Sequence, residues 1–292
     1  MQSDNTLDAI VVTEERKATS IDRLNTIKTN VMSERELFKA ACCNLSESFE
    51  TNPSVDVNYT DAVTGAKQIQ MLGLAGTYTQ IMTENLPSVR GLAANYGMSF
   101  IPGTWIESIQ VTKGVGSVIN GFESLAGQIN VELRNPEAEE ALLFNAYANN
   151  NGRYEANLSL NHVLSKKWAT GLLLHGSTWA RKLDHNHDHF LDVPVGEQIN
   201  LINRWKYNSG KGLEAQFGVK YLDDNRLGGE MDFSPESDRL TTNSYGLEIN
   251  TDRKEVWGKV GYVFPSAPYP KYWADSLCCG LSTSVLFWVN NL

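Results

Sequence analysis

Between Leu183 and Asp192 the chain reads "LDHNHDHFLD", a run in which carboxylate, amide and imidazole side chains crowd together. Asp184, Asn186, Asp188, the Phe190 carbonyl and Asp192 stand at the first, third, fifth, seventh and ninth places of a D-x-N-x-D loop. That spacing lets a curled backbone present hard oxygen ligands to calcium. The sixth place holds His189 where such a loop uses glycine, and the twelfth holds Val195 where it uses glutamate. His185, His187 and His189 offer a different chemistry, a softer ion such as copper or zinc. A third reading is a solvated acidic loop that holds no ion. Residue types leave all three open, and Ca2+ at residues 184–192 is the one candidate cofactor.

A second stretch with the look of chemistry is "WIESIQVTKGVGSVINGFESLAGQINVEL", Trp105 to Leu133, with Gly114, Gly116, Gly121 and Gly127. A glycine loop between two apolar runs raises the question of phosphate binding. The approximation to G-x-G-x-x-G fails because its third glycine falls one residue late and strand, not helix, follows. Without a helix N-terminus there is nothing to hold a pyrophosphate. These glycines read better as positions that need positive φ or close approach. Enzyme signatures such as G-x-S-x-G, H-E-x-x-H and C-x-x-C are missing from the sequence, and scattered carboxylates without a second motif carry no catalytic information.

The 292 residues carry a formal charge of −9, which gives no basic footprint for nucleic acid. The four cysteines fall in two adjacent pairs, Cys42-Cys43 and Cys278-Cys279, a spacing that suits neither a metal site nor a disulfide framework. No apolar run is long enough for a membrane-spanning helix, and the N-terminus shows no signal peptide.

The elements that must position these residues change character near "RNPEAEEA", Arg134 to Ala141. Before it lie a helix expected within Ser33–Glu50, with Ser33 and Glu36 as a capping box, and short strands around Ser54–Tyr59, Lys67–Leu72 and Thr77–Glu84. This is a small α+β unit. After it, nearly every segment alternates. Tyr154, Ala156, Leu158 and Leu160 oppose Glu155, Asn157, Ser159 and Asn161, and Leu213–Tyr221 and Ile199–Tyr207 do the same, with Asn203 an exception on the apolar face. With Leu142–Ala148, Trp168–Thr178, Tyr245–Asn250 and Val256–Tyr262, these are segments of about ten residues, as transmembrane β-strands are. Trp168, Trp179, Trp205, Tyr207, Tyr221 and Trp257 lie near segment ends, where an aromatic girdle belongs. The turns "SKK", "NSGKG" and "TDRK" are short, whereas Ala180–Glu197 and Asp223–Asn243 are long and charged. That asymmetry puts the long loops on the outer side. The alternative is a soluble β-rich binding or structural protein, whose strands would also alternate.

Taken together, "LDAIVVTEERKATSIDRL", "KQIQMLGLAGTYTQIMTENLP" and the Ile106–Leu133 stretch, ending in Gly127-Gln128-Ile129-Asn130-Val131, resemble a TonB-dependent outer-membrane receptor. The fold class implied is an α+β plug domain followed by an antiparallel β-sheet, an incomplete transmembrane β-barrel. The resemblance implies energised uptake of a scarce nutrient, such as a metal chelate or cobalamin, and no enzyme activity. Asp8, Ala9, Ile10, Val11, Val12 and Thr13 look like the box that a TonB-type energy-transducing protein grips. An extended β-branched segment can do this by adding a strand to the partner's sheet edge. The other implied partners are outer-membrane lipid and a small-molecule or metal-chelate ligand, with no nucleic acid. The expected division is a box-like segment at 1–13, the plug at 14–136, first barrel strands at 137–264 and an aberrant tail at 265–292. The plug is expected to fold alone. Seven strands cannot close round a plug, which takes about twenty-two, so the chain is expected to be a truncated receptor. In "KYWADSLCCGLSTSVLFWVNNL" the alternation stops, and a one-base shift with plausible codons restores a strand-like run, so this tail reads as out of frame.

Overall fold

The computed structural model describes residues 19–22, 29–39, 44–50, 55–61, 63–91, 94, 96–116, 123–138, 140–264 and 272–289. Its first part is built on a six-stranded sheet of β1 (Thr19–Asp22), β2 (Thr29–Ser33), β5 (Thr79–Thr83), β6 (Leu86–Val89), β7 (Ile106–Lys113) and β8 (Gly127–Leu133). The spatial order is β1-β2-β7-β8-β5-β6. All its pairings are antiparallel except β5 with β8. A separate hairpin joins β3 (Asp56–Asp61) to β4 (Ala66–Gln70). The helix expected across Ser33–Glu50 is shorter than its periodicity suggests. Helix α1 is Glu34–Lys39, and a tight helical turn at Glu47–Phe49 buries Phe49.

Alternation explains the core. Ile106, Ile109 and Val111 of β7 turn inward with Ile129 and Val131 of β8, and Met32, Leu45, Phe49, Ile69 and Trp105 close round them. The central strand β8 alternates Gln128, Asn130 and Glu132 with Ile129, Val131 and Leu133, and both faces are covered, so Gln128 and Asn130 are buried too.

The second part is a seven-stranded antiparallel sheet that follows the chain: β9 (Leu142–Ala148), β10 (Arg153–Val163), β11 (Trp168–Trp179), β12 (Val195–Asn208), β13 (Leu213–Gly229), β14 (Gly246–Val263) and β15 (Tyr272–Val289). Its polarity is inverted relative to a water-soluble sheet. Asn157, Asn200, Arg204 and Arg253 are buried against the first domain, while Phe144, Ile199, Phe217, Val219 and Val256 are exposed on the far side. A sheet with its polar face inside and its apolar face outside suits lipid and not water, which disfavours the soluble alternative. Leu173, Ile202, Leu222 and Ile249 break the polar face and pack on the first domain's apolar clusters.

Two expectations need correction. "TDRK" is no turn: Thr251–Lys254 lies inside the continuous strand β14, opposite Asp224–Tyr221 of β13. Its charges follow the strand's period, with Thr251 and Arg253 buried inward and Lys254 exposed outward, so alternation runs through them unbroken. The girdle is also smaller than expected. Trp168, Trp205, Tyr207 and Phe217 cluster at the short-turn end, with Trp205 stacked on Phe217 at 6.1 Å. Trp179 and Trp257 have the opposite parity and face inward.

The backbone of Tyr272–Val289 pairs with β14, so the sheet continues beyond the boundary expected at residue 264. An exposed strand edge accepts extended chain through backbone hydrogen bonds, whatever its side-chain pattern. Edges β9 and β15 are not paired with each other, and the sheet is an unclosed wall among the described residues.

Candidate functional site

The long loops and the outer ends of β10 to β13 meet the first domain around a cavity of about 580 Å³. One side is formed by Asn44–Glu47, the β3–β4 hairpin and Tyr96–Ser99, the other by Arg153, His175, Trp179 and the Asp192–Gln198 segment. The hairpin tip is seated tightly. The Asp61 carboxylate accepts from Val63 N at 3.0 Å and from the Thr64 hydroxyl at 2.6 Å, which folds the tip back on itself. Gly228 then lies so close that a Cβ there would overlap the Val63 carbonyl.

Two guanidiniums dominate the cavity wall. Arg153 donates to Glu47 at 2.9 Å and to Glu155, and lies over the Trp179 ring at 5.0 Å. Arg226 donates to Asp224 at 2.8 Å and to the Ser99 hydroxyl, over the Tyr96 ring. Burial, the largest influence, pushes the Tyr96 phenol above its usual pKa. Below the cavity the inner face forms cross-strand pairs. His175 Nδ1 and Asn157 Oδ1 are 2.7 Å apart, Gln198 donates to Asp224 at 3.1 Å, and Asn200 donates to the Phe100 carbonyl at 2.6 Å.

Towards the short-turn end a single carboxylate ties the two parts together. Glu84 and Asn85 both have positive φ, making the two-residue turn between β5 and β6. Glu84 Oε1 accepts from Arg204 at 2.8 Å and from Leu133 N at 3.0 Å, and Oε2 accepts from Lys259 at 3.1 Å. Burial alone would raise the Glu84 carboxyl, but Arg204 and then Lys259 outweigh it and hold it below its usual range.

The sequence-derived candidates fall in several places. Gly127 sits where a Cβ would overlap Met71 Sδ and the Thr112 carbonyl, Gly116 where it would overlap Gln128, and Gly114 has φ +94. Gly121 and the Asp8–Thr13 segment lie outside the described residues. In the Leu183–Asp192 loop the acidic groups turn onto the loop's own backbone. Asp184 accepts from Asp188 N at 3.2 Å and His189 N at 3.0 Å, and Asp188 accepts from Phe190 N at 2.8 Å. His189 adopts φ +67, supplying without glycine the sharp turn of the sixth place. Asp192 pairs with His185 at 2.6 Å, and that hydrogen bond holds its carboxyl below the usual range. Among the described residues, no three His, Cys, Asp or Glu side chains are gathered as a metal ion would require.

Comparison with known proteins places this geometry. Residues 22–128 match the model of the TonB-dependent receptor plug domain. This chain carries the plug domain of TonB-dependent receptors. The plug is the first domain, and the long sheet is barrel wall. The chain is 23% identical over 164 residues to the vitamin B12 transporter BtuB of Vibrio vulnificus (strain CMCP6), a match that takes in 56% of this chain and 27% of that protein. Its fold matches the ferripyoverdine receptor of the outer membrane of Pseudomonas aeruginosa at a TM-score of 0.57 and 14% identity, covering 88% of this chain and 38% of that one. The siderophore receptor PiuA from Acinetobacter baumannii matches at 0.56 and 12%, covering 86% and 36%. The chain thus spans well under half the length of each of these three proteins.

Sequence reasoning passed over Arg153, Arg226 and Glu84. The two arginines carried a usable signal, since each stands on the polar parity of an alternating strand. Glu84-Asn85 between two apolar runs was the other, a two-residue turn signature.

Proposed function

We propose that this receptor chain takes part in energised uptake of a scarce nutrient across the outer membrane, and that the plug–wall cavity receives the ligand. The observation that carries this reading is the cavity itself, bounded on one side by the plug and on the other by wall strands below the long loops. A concave site with aromatic walls and a few placed polar groups is what a small-molecule receptor needs. Vitamin B12 and ferripyoverdine, named for two of the relatives, set the range of ligand size and kind considered. Asp8–Thr13 is the proposed grip for a TonB-type protein, by strand addition.

The test separates binding from transport. In cells displaying the chain in their outer membrane, Val11→Pro removes a backbone donor from the box. Accumulation of a labelled ligand is expected to stop while surface binding persists. Unchanged accumulation would sink the assignment of Asp8–Thr13.

A further inference from the structure

The side chains that face the cavity include four carboxylates, Glu47, Glu155, Asp192 and Asp224, against three cationic groups, Lys67, Arg153 and Arg226. Each cation already has a carboxylate. Lys67 meets Glu50 at 3.3 Å, Arg153 meets Glu47 and Glu155, and Arg226 meets Asp224. The side chains of Glu155 and Asp224 are 3% and 4% exposed. An anionic ligand that drew either guanidinium to itself would leave a buried carboxylate without its counter-ion, a costly outcome. Asp192, by contrast, is exposed at the cavity rim and pairs with His185 rather than with a lysine or arginine. The bordering loops Ala180–Pro194 and Glu230–Tyr245 carry seven carboxylates, Asp192 among them, against three cationic side chains. Their field favours approach of positive charge and opposes negative. The rings of Tyr59, Tyr96 and Trp179 complete the lining, and each already lies against one of these cations, Lys67, Arg226 and Arg153 respectively.

We propose that the cavity selects electroneutral or cationic ligands and turns away polyanionic chelates. This rests on the reading of the cavity as the ligand site.

The test uses the full chain in detergent micelles and isothermal titration with three probes of different charge. They are neutral cyanocobalamin, a monocationic ferric trihydroxamate and a trianionic ferric tris-catecholate. The neutral or the cationic probe is expected to bind at least about tenfold more tightly than the trianionic one, a gap of about 1.4 kcal/mol. Asp192→Asn, a change at the exposed rim, is expected to weaken the cationic probe and leave the neutral one unchanged. Glu155→Gln and Asp224→Asn free the guanidiniums and are expected to let the trianionic probe in. Circular dichroism checks that each variant keeps its strands, and Asp192→Asn alone suffices should the buried changes unfold the chain. Equal or tighter binding of the trianionic probe, lost in Arg153→Gln or Arg226→Gln, overturns the proposal while leaving the cavity reading intact. Binding that no cavity substitution alters, or no binding of any probe, ends the cavity reading and this proposal with it.

Discussion

Glu84 is the residue on which the most depends. It is one carboxylate on a two-residue turn, clamped by Arg204 and Lys259 of the wall and by the Leu133 amide of the plug. Removing its charge leaves a buried arginine without its counter-ion, so Glu84→Gln is expected to cost about 3 kcal/mol, read from denaturant midpoints. The pH dependence has a definite sign. The folded carboxyl sits below its usual range, so its contribution is complete above the unfolded value of about 4.3 and is lost as pH falls through the folded value. The parent chain is therefore expected to lose stability on acidification more steeply than Glu84→Gln, and parallel acid titrations of the two would contradict this. None of this coupling was legible in the sequence. Glu84 and Arg204 are 120 residues apart, and nothing local in either neighbourhood says that they meet. The glycines were legible, because a glycine between strands already implies close approach whatever it approaches.

The Leu183–Asp192 loop and strand β14 show how far pattern reaches at the level of elements. In the loop, Asp184 accepts from two amides and Asp188 from the next one along. Hydrogen exchange should report this division. Asp184→Ala is expected to speed exchange at Asp188 and His189 about tenfold, with Phe190 little changed, and Asp188→Ala to speed Phe190. Uniform exchange across the loop in both variants would mean that these bonds are not its framework. Strand β14 was misread because Thr251–Lys254 has the composition of a turn, and single-segment composition outweighed the period that runs through it. On a cysteine-free background, single cysteines at Thr251, Asp252, Arg253 and Lys254 are expected to label alternately, with Asp252 and Lys254 reactive. Four equally reactive sites would restore the turn. The wall as a whole was readable because every strand repeats one two-residue rule. The plug was read less well. Its helix is brief, so the periodicity across Ser33–Glu50 overstated its length.

At the scale of the molecule, plug and wall share a core. The cluster round Ile109 and Ile129 extends to Leu173 and Ile202 of the wall, and the Glu84 clamp lies between the two parts. Met1–Pro136 alone keeps most of that cluster but loses Leu173, Ile202, Arg204 and Lys259. It is expected to unfold cooperatively, at a lower denaturant midpoint than the full chain. A product without a cooperative transition would show that the plug needs its wall in order to fold.

Strand order in the two sheets has a kinetic consequence. Every wall pairing joins neighbours in sequence, from β9 through to β15, so loop closure is short at each step. The plug sheet pairs β2 with β7 and β5 with β8, across long stretches of chain. Low contact order folds fast and high contact order slowly. The wall can therefore zip hairpin by hairpin while the plug, synthesised first, is still searching for its register. Contacts that need both, with Glu84 between Arg204 and Lys259 foremost, belong to the last step. A chain built this way is ordered in time against the direction of its own synthesis.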